Sequence, residues 1–172
     1  MTDRRFRVVV AGAGVSGLFM AEKLKRARID FAVYEKAGEV GGTWRDNTFP
    51  GLFVDVLSRQ YEFPFQPNYG WSRKYAPATE IWAYVKKVAR DRGLTKFIRF
   101  NREIVAARFT DGRWYIETAG GETDIADVFV CATGFLHQPR FPTSPAAMRS
   151  RAPPFTRRGG ITVSPTPASA GV

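Results

Sequence analysis

A glycine-spaced segment at residues 12–17 constrains the fold most, because it lies between an apolar run and a helical pattern. Residues 6–11, FRVVVA, are apolar and rich in β-branched side chains, which predicts a buried strand of a parallel sheet. Residues 18–29 repeat apolar positions at helical spacing, and residues 31–35, FAVYE, form a second apolar run. Strand, glycine turn, helix and strand in this order predict a βαβ unit with parallel strands.

The glycine spacing predicts a turn that binds the pyrophosphate of a dinucleotide. Gly12 permits the tight turn, Gly14 permits backbone to approach a phosphate, and Gly17 permits close packing of helix on strand. The amino terminus of the helix adds N–H groups and a partial positive charge. The residues expected to contact the nucleotide in this segment are Gly12, Ala13, Gly14, Val15, Ser16 and Gly17.

An acidic residue ends the second predicted strand at the position that such a turn requires. Glu35 can accept hydrogen bonds from the ribose hydroxyls of a bound nucleotide. Its charge would repel a 2′-phosphate, so NADP is disfavoured at this turn. The choice between FAD and NAD stays open on these residues alone.

Several segments further along the chain match the flavin-contacting region of one family. They are Gly41-Gly42-Thr43-Trp44, Asn47, Pro50-Gly51, Asp55-Val56, Tyr61, the run WSRKYA at 71–76, and Ala132-Thr133-Gly134-Phe135 before Pro139 and Pro142. In these residues the chain resembles the class B flavoprotein monooxygenases, which comprise the Baeyer–Villiger monooxygenases and the flavin-containing monooxygenases. The resemblance covers residues 6–142. One departure is Val54, where the family often has cysteine.

This resemblance implies an FAD cofactor, NADPH as electron donor and O2 as oxidant. It implies insertion of oxygen next to a ketone carbonyl; the alternative is N- or S-oxidation by a flavin-containing relative. It adds to the cofactor-contacting set Lys36, Gly42, Thr43, Trp44, Asp55, Val56, Tyr61, Val105, Ala132, Thr133 and Gly134. Asp55 is also the candidate catalytic residue, near the flavin ring and nicotinamide. Core filling by Trp44 and turn capping by Asp55 are the structural alternatives.

Taken together, the pattern predicts an α/β fold: a Rossmann-like FAD-binding βαβ unit with a parallel sheet, a small antiparallel β meander and a disordered C-terminal tail. Residues 36–77 lack periodicity, and a stretch this long is unusual unless it has a function. A helix over 78–92 is expected, with Thr79 as N-cap and Gly93 as stop. Short strands are expected near 97–100, 103–109, 113–118 and 127–132, with turns at Asp111-Gly112 and Gly120-Gly121.

The chain has one cysteine and one histidine, which excludes an internal disulfide and a zinc site built from several such residues. Cys131 lies among apolar residues of a predicted strand, so we expect a buried thiol. His137 follows the Thr133-Gly134 turn and is predicted to be a linker residue, because no sequence neighbour pairs with it.

The amino-acid composition limits the possible binding partners and the cellular compartment of the protein. The net charge is +10, but the basic residues are spread along the chain, and 143–172 hold four arginines with no acid. This distribution does not favour a nucleic-acid partner, although a basic nucleic-acid binder remains an alternative class. No apolar run approaches the ~20 residues of a membrane helix, and the apolar stretch near the start of the chain is too short for a secretory signal. We therefore expect a cytoplasmic protein without a membrane partner.

The predicted organisation is an incomplete N-terminal FAD-binding domain at 1–142 followed by an unstructured segment at 143–172. The family carries a second glycine-rich site for NADPH and a later return to the FAD domain, and neither pattern occurs in this sequence. We expect the chain alone to bind FAD weakly, if at all, and to show no NADPH-dependent oxygenation. A flavin- or nucleotide-binding module that acts with another polypeptide is the non-catalytic alternative.

A frameshift is our hypothesis for the altered composition after residue 142. Read two nucleotides out of frame with free third bases, residues 142–161 permit the family motif F-x-G-x-x-x-H-x-x-x-W at its proper spacing. Sequencing of the locus tests this. We expect the alternative frame downstream to encode a glycine-rich NADPH site, and its absence would refute the hypothesis.

Overall fold

The computed structural model describes residues 6–136, so the expectations for His137 and for 143–172 lie outside the described part. In chain order the elements are β1 (Arg7–Ala11), α1 (Val15–Arg26), β2 (Asp30–Tyr34), α2 (Thr43–Asp46), a 3-10 turn (Ser58–Tyr61), α3 (Ala78–Asp91), a second 3-10 turn (Thr95–Phe97), β3 (Ile98–Arg99), β4 (Ile104–Thr110), β5 (Arg113–Thr118), β6 (Thr123–Ala126) and β7 (Val128–Cys131). No helix within residues 6–136 combines the length and the hydropathy needed to cross a bilayer.

The predicted βαβ unit is confirmed and forms the centre of a parallel sheet. The strand order is β3-β2-β1-β7, so β1 has a parallel neighbour on each side. Ala11 pairs with Tyr34 of β2 and with Cys131 of β7. This register brings the carboxyl ends of the three strands to one edge of the sheet.

Both faces of the parallel sheet are covered, which explains why β1 reads as a continuous apolar run. Val8 and Val10 pack in a cluster with residues of α1 and α3. Val9 points to the opposite face and packs with Ile116 and Ala126 of the antiparallel sheet. The fold therefore has three layers: two helices, a parallel sheet and a three-stranded antiparallel sheet in the order β4-β5-β6.

The antiparallel meander is confirmed, with two differences from the sequence-based strands. The residues near 97–100 form β3, which pairs in parallel with β2 instead of with the meander. The third meander strand is β6, which the sequence analysis did not predict. Asp111 and Gly112 have φ values of +50° and +74°, the conformation that the predicted Asp-Gly turn requires.

Helix α3 forms where expected but begins differently. Its N-cap is Pro77, and no side chain caps it, so the prediction for Thr79 is wrong. Proline suits this position because its fixed φ is already near the helical value. Tyr84 joins the buried face, where its hydroxyl donates to the Gln66 carbonyl at 2.7 Å and accepts from the Phe63 amide at 2.8 Å.

Cys131 is exposed, so the prediction of a buried thiol is wrong. The residue ends β7, and β7 is an edge strand of the sheet that residues 6–136 form. An apolar sequence neighbourhood predicts burial only where a further element covers the strand, and the described chain has none on this side of β7.

A group of charged and phenolic side chains joins the two sheets. Asp124 of β6 accepts from Arg7 Nε at 3.1 Å and Nη2 at 2.7 Å, and from the Tyr34 hydroxyl at 2.7 Å. Burial opposes ionisation of Asp124, but the hydrogen bonds from Arg7 and Tyr34 prevail and lower the pKa of its carboxyl. Burial and then the Asp124 carboxylate raise the pKa of Tyr34 to about 12. The ion pair of Arg7 with Asp124 thus attaches the antiparallel sheet to β1, and the hydrogen bond from Tyr34 attaches it to β2.

We expect Asp124→Asn to destabilise the protein at neutral pH by about 2 kcal/mol, because it weakens hydrogen bonds to a charged group. The wild-type contribution is fully present above the pKa of an unfolded aspartate, about 3.9, and is lost as the pH falls through the lower folded pKa. Urea unfolding at about pH 7 and about pH 3 measures this. The control is Asp111→Asn, which changes an exposed carboxyl in the turn between β4 and β5. An equal pH dependence in wild type and Asp124→Asn would contradict the assignment.

Candidate functional site

A cavity of about 650 Å³ opens at the carboxyl edge of the parallel sheet. Its lining includes Ala11 at the end of β1, Glu35 just after β2 and Ala132 just after β7. The chain builds the sheet on one side of β1 with β2 and β3 and on the other side with β7, so the cavity lies where the strand order reverses. Open α/β sheets bind ligands at such a point, and the volume is in the range of small-molecule sites.

In the first glycine turn, Gly12 and Gly17 pack too closely against neighbouring backbone to carry a side chain. Gly12 has a φ of +102°, and a Cβ there would lie 2.6 Å from the Ala132 carbonyl oxygen. A Cβ at Gly17 would lie 1.9 Å from the Gly12 carbonyl oxygen, so no side chain fits between the helix and the turn. Helix α1 begins directly afterwards, with the Leu18 amide donating to the Gly14 carbonyl at 3.0 Å.

A second pair of glycines faces the first turn. Gly42 has a φ of +54°, and a Cβ there would lie 3.1 Å from Gly14 Cα. The Gly41 amide donates to the Ala13 carbonyl at 3.2 Å, which joins the two segments. A Cβ at Gly14 would meet Gly42 Cα at an ordinary 3.6 Å, so Gly14 is not required by the packing of the fold. Two glycine backbones therefore form adjacent walls that a phosphate group can approach closely.

Glu35 lies beside the first turn and is buried. Its Oε2 accepts from the Ala13 amide at 2.8 Å, and its Oε1 accepts from the Ala37 amide at 2.9 Å. Arg45 Nη1 donates to Oε1 at 3.3 Å. The carboxylate lines the cavity with its position fixed by three donors. Its remaining acceptor capacity fits the hydroxyls of a ribose.

Arg45 is held between two carboxylates at the same wall of the cavity. Its Nε donates to Asp46 Oδ1 at 2.9 Å, and its Nη1 also donates to the Glu39 carbonyl. Burial opposes the charge, but the hydrogen bond to Asp46 and the charge of Glu35 raise the pKa of the Arg45 guanidinium above its ordinary value. The guanidinium therefore remains a permanent cation next to the acidic residue.

Most residues assigned to the cofactor from the sequence line this one cavity. They are Gly12, Gly14, Val15, Ser16, Glu35, Lys36, Gly42, Thr43, Tyr61, Ala132, Thr133 and Gly134. Ala13 and Gly17 are buried directly behind the wall. Asp55, Val56 and Val105 are exposed and are not among the lining residues.

Trp44 lies in the core, while its neighbour Tyr61 lines the cavity. Trp44 Nε1 donates to the Tyr61 hydroxyl at 2.9 Å, and the two rings pack edge to face at 5.3 Å. Burial raises the pKa of the Tyr61 hydroxyl, and the negative charge of Asp55 adds a smaller effect in the same direction. Trp44 thus orients a cavity residue from behind, and Asp55 acts on that residue through its charge.

Gly41 and Phe135, which belong to the segments that match the family, also line the cavity. The lining further includes residues that were not expected from the sequence: Ala11, Tyr34, Arg45, Asp46, Arg102, Glu103, Ile104 and Leu136. Residues 102–104 reach the cavity because the Arg102 amide donates to the Glu35 carbonyl at 2.9 Å. Only this tertiary contact identifies them. Arg45 could have been suspected from its position directly after the Gly-Gly-Thr-Trp segment.

Comparison with known proteins points to one group of enzymes. Residues 10–86 match the family described as NAD(P)-binding Rossmann-like domain. An uncharacterized monooxygenase of Mycobacterium tuberculosis is 47% identical over 143 residues, which cover 83% of this chain and 29% of the relative. A Baeyer-Villiger monooxygenase of Streptomyces coelicolor is 46% identical over 142 residues, which cover 81% of this chain and 27% of the relative.

A solved structure agrees with the sequence comparison. The crystal structure of OTEMO in complex with FAD and NADP superposes with a TM-score of 0.76 at 30% identity, covering 80% of this chain and 27% of that one. The chain thus spans 27–29% of the length of these relatives. The resemblance inferred from the sequence is confirmed: over that span, the chain is a homologue of the Baeyer–Villiger and FAD-binding monooxygenases.

Proposed function

We propose that residues 6–136 form the FAD-binding part of an NADPH- and O2-dependent monooxygenase of Baeyer–Villiger type. The observation that carries the proposal is the joint lining of one cavity by two glycine walls and a fixed carboxylate, Glu35. The homology to enzymes named Baeyer-Villiger monooxygenase, and the FAD in a structural neighbour, support the same assignment.

The chain's residues fit the adenosine diphosphate half of FAD. Gly14 and Gly42 lie in contact and together present a backbone surface without side chains, which a pyrophosphate in the cavity could approach. The free lone pairs of Glu35 would accept from the ribose hydroxyls, and its charge favours a ribose without a 2′-phosphate. Arg102, Glu103 and Ile104 lie at the same cavity and would border the adenosine.

The other half of the cofactor would extend past the ends of β1 and β7. Thr43, Tyr61 and residues 132–134 line the same cavity and would border that half. The FAD, when bound, supplies the redox chemistry that moves electrons from NADPH to O2. In the proposed reaction of the full-length enzyme, one oxygen atom of O2 is inserted next to a ketone carbonyl, and the other is released as water.

FAD titration, read by the visible spectrum and by thermal unfolding, tests the binding site. FAD at 100 times its dissociation constant should add about 2.7 kcal/mol of stability. We expect Gly14→Ala to abolish this shift while the chain stays folded, because its methyl group fills the phosphate wall at an ordinary 3.6 Å from Gly42. Gly120→Ala is the matched control, since its Cβ would meet only the Thr118 hydroxyl at 3.9 Å. Undiminished FAD binding by Gly14→Ala would refute the proposed site.

Activity of the isolated chain is a separate prediction. We expect no NADPH oxidation coupled to ketone oxygenation by this chain alone, because the described residues contain one glycine-turn nucleotide site and FAD would fill it. NADPH absorbance and product analysis with a panel of ketones measure this. A purified chain that converts a ketone with NADPH would contradict the prediction.

A non-catalytic FAD- or nucleotide-binding module that acts with another polypeptide is the second candidate. The open edge of β7 favours it, because Val128 is 38% exposed and Phe135, just after the strand, is 89% exposed. Copurification of a second chain that restores NADPH-dependent activity would favour this reading over the first.

A further inference from the structure

Trp82 of α3 lies behind the second glycine wall, outside the cavity. Its Nε1 donates to the Val40 carbonyl at 2.9 Å. A Cβ at Gly41 would lie 2.6 Å from Trp82 Nε1 and 2.7 Å from Cδ1, so the indole ring packs directly on the glycine backbone. Sequence periodicity places Trp82 on the packing face of α3 but gives no reason for a ring with a hydrogen-bond donor there.

Two further contacts connect the Trp82 packing to the cavity. The Gly41 amide donates to the Ala13 carbonyl at 3.2 Å, which connects the second wall to the first turn. The next residue, Gly42, faces Gly14 across the cavity wall. The position of residues 40–42 therefore sets the separation between the two glycine backbones, and Trp82 fixes that position from the helix layer.

A lysine one turn further along α3 contacts the same ring. Lys86 Nζ lies 3.8 Å from the centroid of the Trp82 ring. Lys86 also forms an ion pair with Glu39 at 3.9 Å, at the start of the same loop. The indole thus contacts both the Lys86 side chain and Gly41, and each contact limits its movement.

We infer that Trp82 is a positioning residue for the nucleotide cavity: it holds residues 40–42 against the first glycine turn, so that the two backbones form one continuous wall for a pyrophosphate. This rests on the proposed function, because it concerns the same cavity. The loop contains a glycine pair with positive φ at both residues, a backbone that is ordered only where surrounding contacts hold it. Without the indole contact the loop would have to be ordered when FAD binds, and the affinity would fall by that cost.

Trp82→Phe tests the inference, because it keeps a ring of similar position and removes the donor to Val40. Trp71→Phe is the matched control. Trp71 is also half-buried, donates Nε1 to Glu62 at 2.6 Å and packs against Tyr84 of α3 at 5.2 Å, but it does not line the cavity. Loss of one hydrogen bond of ordinary strength corresponds to roughly a fivefold change in an equilibrium constant. We expect Trp82→Phe to weaken FAD binding by about fivefold and Trp71→Phe to leave it within about twofold.

Amide hydrogen exchange of the ligand-free chain gives a second readout, independent of FAD. We expect faster exchange at Gly41 in Trp82→Phe and unchanged exchange there in Trp71→Phe. If Trp82→Phe does not fold, Lys86→Ala replaces it, with the same direction expected for exchange and affinity. Unchanged FAD affinity with unchanged exchange at Gly41, or equal losses of affinity in both tryptophan variants, would overturn the inference and leave the proposed function intact. FAD binding that Gly14→Ala leaves undiminished would instead overturn the proposed function itself.

Discussion

The carboxylate of Glu35 is the interaction on which the candidate site depends. It follows the last residue of β2, and the pairing of Ala11 with Tyr34 brings it beside the first glycine turn. There it accepts from the amides of Ala13 and Ala37 and from Arg45. A buried carboxylate requires several donors, and these donors come from three different segments. The same group therefore fixes the turn, the start of the following loop and the acidic wall of the cavity.

The three-layer packing covers both faces of the parallel sheet in the described part of the chain. Helices α1 and α3 cover one face, and the antiparallel sheet covers the other. The pairing of Arg7 with Asp124 holds this second layer in register with β1 and β2. Since both faces are filled, the cavity opens at the carboxyl ends of the strands, where a ligand can reach the backbone. The glycines at that edge remove the side chains that would block it.

The aperiodic stretch at 36–77 is held by specific polar contacts of its aromatic and small side chains. Ser58 is buried, accepts from the Ala76 amide at 2.8 Å and donates to carbonyls of residues 73–74. Trp44 donates to Tyr61 across the same stretch. Such contacts replace the backbone pairing that a helix or strand would supply, and they explain how a loop without periodicity can shape a cavity.

The sequence by itself determined the βαβ unit, the glycine turn, the acidic residue at its side and the Asp111-Gly112 turn, because each depends on neighbours close in the chain. The tertiary structure alone decided that residues near 98 pair in parallel with β2, that Cys131 ends an exposed edge, and that residues 102–104 reach the cavity. It also decided that the Trp82 indole packs against the backbone of Gly41. These features depend on contacts between distant segments, and local periodicity carries no information about which distant segment a strand or ring will meet.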